Sequence, residues 1–248
     1  EGAMAQRLLR FTASSLLGTP LHHISVFALL LLCRASCVLE VQEASSTDST
    51  NSSAEKCPRG LISSCLSILQ RRACQVQTLY LQPGRYTGPG NVNLNIQGHV
   101  TIIGLGDHPE EVLIDGGHSS WLIAVVGHAK LKLENMSLVN GAAGTPVSPR
   151  FRSAAALYIG HEAEATLTFV HFVGNVAPPL DEFDTFQGGL GGAVFSASMV
   201  GAHFDNCYFD SNKAIGDNAQ GGAVYVWPLA PHAMPMSLGR GSTMRNCT

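Results

Sequence analysis

A five-residue phrase, Gly-Gly-Ala-aliphatic-aromatic, occurs twice in this chain, as Gly191-Gly192-Ala193-Val194-Phe195 and as Gly221-Gly222-Ala223-Val224-Tyr225. Phe209-Asp-Ser-Asn212 lies between the copies, and Phe172-Val-Gly-Asn175 lies upstream of both. The spacing is regular. Ala156-Leu-Tyr158 returns 37 residues later as Ala193-Val-Phe195, and Phe172 and Asn175 return as Phe209 and Asn212 at the same offset. A short repeating unit cannot bury its apolar face alone and must stack on its neighbours. For β-type units the expected result is a solenoid whose coils pair in parallel, with equivalent residues about 4.8 Å apart. Gly-Gly then allows a positive φ at a corner and a close approach of coils. The Phe of Phe-x-x-Asn fills the interior. The Asn amides stack in a hydrogen-bonded ladder, the alternative being a turn Asn that faces water.

The rest of the chain has the same rhythm. From Thr78 to Asn140 short alternating or apolar runs such as Asn91–Ile96, His99–Ile103, Val112–Ile114 and Ala129–Leu133 are separated by Gly, Asn, Asp or Pro. This pattern is all-β, with no helix-length periodic segment between the runs. Residues 58–73 are the exception: Leu61, Ile62, Cys65, Leu66, Ile68, Leu69 and Ala73 recur at helical spacing. Ahead of them, residues 36–56 read as a Ser/Thr-rich linker. Residues 1–35 read as a signal peptide, with Arg7 and Arg10 before the apolar run Ile24–Leu32 and small residues before a cleavage point after Ala35. An uncleaved anchor and an amphipathic targeting segment are the alternatives. Cleavage would leave six of seven cysteines, an even number suited to an oxidising compartment, with fifteen pairings open. Within an intact helix Cys65 and Cys74 would lie roughly 13 Å apart, too far to bridge. Cys207 and Cys247 each follow an Asn and are taken as equivalent repeat positions, where a disulfide or two stacked thiols would fit. Sequons stand at Asn51, Asn135 and Asn246. After Thr248 the pattern still calls for a further Phe-x-x-Asn, so the chain is expected to stop within a coil.

The two Gly-Gly-Ala-Val phrases, alternating with Phe172–Asn175 and Phe209–Asn212, resemble the repeats of the polymorphic outer-membrane protein family. Leu79–Tyr86, Val100–Gly104 and Val112–Gly116 are similar to the first coils of pectin-lyase-like β-helices. The resemblance implies a right-handed parallel β-helix over residues 78–248, surface-exposed and adhesive, with residues 57–77 forming a short helix that caps its N-terminal end. It carries no barrel domain across, so autotransport is not implied.

Charged residues make up 13% of the chain and the formal net charge is −3, with no basic cluster to hold nucleic acid. Phosphate loops, Gly-x-Ser-x-Gly and His-Glu-x-x-His are absent, so no nucleotide, cofactor or metal is expected. The acidic group Asp181, Glu182 and Asp184 is the best candidate for a binding site, against a plain solvated loop. Asp205, Asp210 and Asp217 are candidates to flank one face; Asp115 reads as a turn residue. The ten histidines show no ligand spacing. The expected function is a secreted or cell-surface β-helix that binds a polysaccharide, a surface glycan or a protein without catalysis. The alternative is a carbohydrate-active enzyme, a lyase or hydrolase, on a pectin-lyase-like fold.

Overall fold

The computed structural model describes residues 61–71, 76–142, 154–179, 189–227 and 236–248, together with the strand at 36–41. All of these fall in one unit, Ser36–Thr248. The architecture is a right-handed parallel β-solenoid. Every named strand pairing in it is parallel.

Each coil passes through two outer segments that join into one large sheet, then through a third side. The first segments are β1 (Ser36–Val41), β2 (Val76–Leu81), β5 (His99–Gly104), the start of β8 (Lys130–Val139), the start of β10 (Glu164–Val173), β13 (Gly201–Asp205) and β17 (Ser237–Leu238). The second segments are β3 (Gly84–Thr87), β6 (Val112–Asp115), the ends of β8 and β10, β14 (Tyr208–Asp210) and β18 (Thr243–Arg245). The third side is the five-stranded sheet β4 (Leu94–Ile96), β7 (Ile123–Val125), β9 (Leu157–Ile159), β12 (Val194–Ser196) and β16 (Val224–Val226). A two-stranded piece, β11 (Val176–Ala177) with β15 (Lys213–Ala214), links the second and third sides in the later coils. Alternation along each strand sends one set of side chains inward. In β8, for example, Leu131 and Leu133 are buried while Lys130 and Lys132 are exposed.

The interior is continuous. Ile102, Leu133, Leu167 and Phe204 form one column of it, and Ile114, Leu138, Phe172 and Phe209 another. Phe172 and Phe209 stack with ring centroids 4.7 Å apart and planes 2° from parallel, the spacing set by strand separation. The aromatic residue that ends each Gly-Gly-Ala phrase points the other way. Tyr158, Phe195 and Tyr225 form a second stack outside the third sheet, at 5.5 and 5.6 Å.

The repeat phrases occupy the corners. Gly191 and Gly221 take φ +66° and +67°, conformations open to glycine. Gly192 and Gly222 serve a different need: a Cβ on Gly192 would run into the carbonyl of Gly222 and come 2.6 Å from Lys213 N. Asn175 and Asn212 are fully buried and stacked. Asn175 Nδ2 donates to Asn212 Oδ1 (2.9 Å) and to Leu138 O (3.0 Å), Asn212 Nδ2 donates to Phe172 O (2.8 Å), and Gly141 N donates to Asn175 Oδ1 (2.8 Å). The left-handed residue of the phrase is the one before the ladder Asn: Gly174 (φ 64°), Ser211 (φ 55°) and, in the flanking coils, Asn140 (φ 51°) and Asn246 (φ 48°). In that flanking coil the ladder place falls one residue after Asn140. Gly141 is the residue beneath Asn175.

A second column of left-handed residues marks the bend between the first and second segments: Asn135 (φ 54°), Phe169 (φ 53°), Asn206 (φ 50°) and Gly241 (φ 75°). Asn and Gly accept this conformation readily, whereas a Phe there costs about 1–2 kcal/mol.

At the N-terminal side the helix α1 (Ile62–Arg71) lays Ile62, Cys65, Leu66 and Leu69 into the core. Its first turn is held by the first coil: Ile62 N donates to Asn91 Oδ1 (3.0 Å) and Ser63 N to Gly90 O (2.8 Å). The helix is shorter than the 58–73 periodicity, and residues 76 and 77 already belong to β2. The strand β1 occupies the first six residues of the stretch read as a linker, pairing with β2 from Ser36↔Val76 to Val41↔Leu81. The remainder of that stretch and the signal-like leader lie outside the described residues.

Candidate functional site

The outer surface of the large sheet is where a solenoid can present chemistry, because inward positions are mostly apolar, with Gln77 and the ladder residues Asn175 and Asn212 among the exceptions. On the first segments the outward columns read Thr78, Thr101, Lys132, Thr166, His203 and, next to them, His99, Lys130, Glu164. They surround an open depression of about 300 Å³ lined by His99, Thr101, Lys130, Lys132, Glu164 and Thr166. Its charges are already paired: Lys130 Nζ lies 2.7 Å from Glu164 Oε2, and Lys132 contacts Glu134. Farther along, His203 Nδ1 meets Ser237 Oγ at 2.6 Å.

On the second segments a strap folds back over the sheet. It leaves β5, passes a single 3-10 turn at Pro109–Glu111 and returns as β6. Asn135 Nδ2 anchors it by donating to Gly104 O (3.2 Å) and Gly106 O (2.6 Å), and Ser137 Oγ by donating to Pro109 O (2.9 Å). Glu110 Oε1 sits 3.3 Å from His171 Nδ1, and the His171 ring packs at 5.3 Å against Tyr208. Burial lowers the His171 pKa, and the nearby Glu110 charge only partly opposes this. Beyond it, Tyr208 OH donates to Asp210 Oδ2 (3.2 Å) and the Arg245 guanidinium lies 6.0 Å from the Tyr208 ring centre.

Replacing Asn135 by Gly keeps the left-handed backbone and removes both anchoring hydrogen bonds. The expected loss is about 2 kcal/mol, with faster amide exchange over residues 105–111 than in the neighbouring strands.

Asp115 belongs to the same face, and its role is structural. It is buried, contacts Arg85, and accepts from Gly117 N (2.9 Å) and Asn140 Nδ2 (3.1 Å). Burial pushes its pKa up, but the hydrogen bonds from Gly117, Arg85 and Asn140 and the Arg85 charge outweigh that and hold it below the usual carboxylate value. A depressed folded pKa contributes stability above the unfolded value near 4, and that stability is lost as pH falls through the folded value. Asp115→Asn is therefore expected to flatten the acid limb of the stability–pH curve below about pH 4, measured by urea unfolding at a series of pH values.

The other acidic candidates do not converge. Asp205 lies on the outer face of the first segment, Asp210 on that of the second, and Asp217 in the exposed loop after β15, all three in one coil. Asp115 and Asp210 share a column three rungs apart, about 14 Å, and Glu134 and Asp205 are two rungs apart, about 10 Å. Carboxyl pairs that cleave glycosides stand about 5–9.5 Å apart. Asp181, Glu182 and Asp184 lie outside the described residues, as does Asn51. Of the other sequons, Asn135 has its amide engaged by the strap, and exposed Asn246 donates to Asp210 Oδ1 (3.1 Å). Among the described residues no three His, Cys, Asp or Glu side chains gather to hold a metal ion.

Neither the disulfide nor the stacked thiol pair offered for Cys207 and Cys247 forms: both thiols are free and they do not share a rung position. The cause is register. Tyr208↔Thr243 and Asp210↔Arg245 put Cys207 beside Ser242 and Cys247 beside Asn212, an offset of 35 rather than 40. Cys207 N donates to Ser242 Oγ (3.2 Å), and Cys247 takes the ladder position, with its Sγ 3.8 Å from Asn212 Nδ2. Burial pushes the Cys207 thiol up to about 11, outweighing hydrogen bonds from the backbone around it. Cys65, by contrast, is disulfide-bonded.

Fold and surface together define a parallel β-solenoid whose large sheet presents polar side chains, several of them ion-paired, and whose third sheet carries an aromatic stack. No protein-family model, no curated protein and no solved structure matches this chain.

Proposed function

We propose that this chain is a secreted or cell-surface β-solenoid that acts as a non-catalytic binding, adhesion or structural module. One observation carries the reading: charged side chains on the outer faces pair with one another, Arg85 with Asp115 and Lys130 with Glu164 across rungs and Lys132 with Glu134 along its own strand, and the carboxylates that share a column, Asp115 with Asp210 and Glu134 with Asp205, stand two or three rungs apart. An acid–base pair needs two groups aimed at one substrate bond, with pKa values driven apart. The Cys65 disulfide supports an oxidising compartment. The likeness of the Gly-Gly-Ala and Phe-x-x-Asn phrases to adhesive outer-membrane repeats supports a surface role.

Incubation with a panel of neutral and acidic polysaccharides tests this. Polymer length and reducing ends are expected to stay unchanged over hours. Chain cleavage that disappears when Glu134, Asp205 or Asp210 is replaced by its amide would establish the carbohydrate-active enzyme instead.

A further inference from the structure

Phe169 does not belong where it stands by any rule of folding alone. Its column is otherwise Asn135, Asn206 and Gly241, residues at ease with positive φ. The ring is 51% exposed, so burial does not offset the strain, and it makes no ring contact among the described residues. The chain's other coil-interior rings, Phe172, Phe204 and Phe209, are buried. Strained, exposed side chains of this kind are held where they meet something outside the fold.

The surroundings indicate what that is. One residue before the bend, the outward column runs Glu134, Thr168, Asp205. Phe169 therefore projects from a corner with a carboxylate one rung to either side, about 4.8 Å along the axis in each direction. Thr168 lies between the two. Asn206 Nδ2 donates to Asp205 Oδ2 (3.3 Å), and Glu134 is held by Lys132, which orients both carboxylates and leaves acceptor sites on each.

We infer that Phe169 with Glu134, Thr168 and Asp205 is a binding subsite for a neutral saccharide. The C–H face of a sugar ring lies on the aromatic ring while its hydroxyls donate to the carboxylates on each side. An apolar platform with a few polar acceptors beside it is the composition that small-ligand sites use. The flanking negative charges disfavour uronic and sulfated sugars. This inference rests on the proposed binding role and gives it a place and a ligand class.

The test uses the full chain and hexasaccharides of glucose, xylose, mannose and N-acetylglucosamine, with hexagalacturonate as the anionic comparison. Binding is read by calorimetry and by chemical-shift change, and thermal midpoints are recorded for each variant. At least one neutral hexasaccharide is expected to bind, and hexagalacturonate is not. Phe169→Asn should weaken that binding at least tenfold and yet raise the unfolding midpoint by about 2–4 °C, because it relieves the backbone. Phe169→Trp should retain binding, and Asp205→Asn should weaken it.

The inference is overturned if no neutral hexasaccharide binds, if hexagalacturonate binds better, if Phe169→Asn binds as well as the parent, or if Phe169→Asn unfolds at a lower temperature. Glycan binding that ignores Phe169 would remove this subsite and leave the binding module standing. Polymer cleavage would remove the non-catalytic reading and leave the subsite.

Discussion

Replacing Asn175 by Ala is expected to destabilise the solenoid by about 3–5 kcal/mol. The side chain is fully buried and joins three coils: it donates to Leu138 O on one side and Asn212 Oδ1 on the other, and accepts from Gly141 N. Alanine would leave the Leu138 carbonyl and the Gly141 N–H without this partner in a site that water does not reach, so their desolvation is no longer compensated. Asp is no substitute, since it supplies no N–H and brings a charge into the core. An exposed asparagine nearby, Asn218, is expected to change stability by no more than about 0.5 kcal/mol when made Ala. Urea unfolding of the two variants side by side separates a ladder from an ordinary turn.

Gly192→Ala is expected to cost more than about 3 kcal/mol. The added Cβ would strike the Gly222 carbonyl and the Lys213 backbone, neither of which can rotate away as a side chain could. The coils would have to part at that corner, and with them the pairing of β12 with β16. The same substitution at Gly117, where a Cβ would meet no atom, tests positive φ alone and is expected to cost only about 1–2 kcal/mol. Gly192 is not a positive-φ glycine, so its cost measures the close approach of coils by itself, and Gly117 gives the scale of a backbone penalty without a clash.

Both sites were visible in the sequence because their demands are local and repeat. Gly-Gly and Phe-x-x-Asn are phrases in which a backbone need fixes the residue type, so each coil writes it again. Where the next coil substitutes, the signal fades. Met244-Arg-Asn-Cys247 holds the place of Phe-x-x-Asn with Met for Phe and Cys for Asn. The literal match of Asn206-Cys207 to Asn246-Cys247 pointed instead to a register five residues away. In the structure Asn206 and Asn246 share only a left-handed φ, at two different corners.

Phe169 was not legible as a site because it belongs to no motif. Its oddity appears only when it is set beside Asn135 and Asn206, and that alignment depends on the strand register. The strand at Ser36–Val41 was hidden for another reason. Its apolar residues, Val38, Leu39 and Val41, follow directly on the leader-like run and precede a Ser/Thr-rich tract, so composition over the window averaged the strand away. The strap over His171 likewise has no local sequence signal, since Asn135, Ser137 and His171 reach it from two different coils.

The register of the last two coils sets Cys247 beside Asn212 at the end of the Asn ladder and Cys207 beside Ser242, and the thiols report it directly. Unreduced protein, denatured in the presence of an alkylating reagent and mapped by peptide mass spectrometry, should carry the alkyl group on both Cys207 and Cys247, with Cys65 found in a cross-linked peptide. A peptide pair joining Cys207 to Cys247 would place those residues in adjacent rungs at an offset of 40 and contradict the stacking described here.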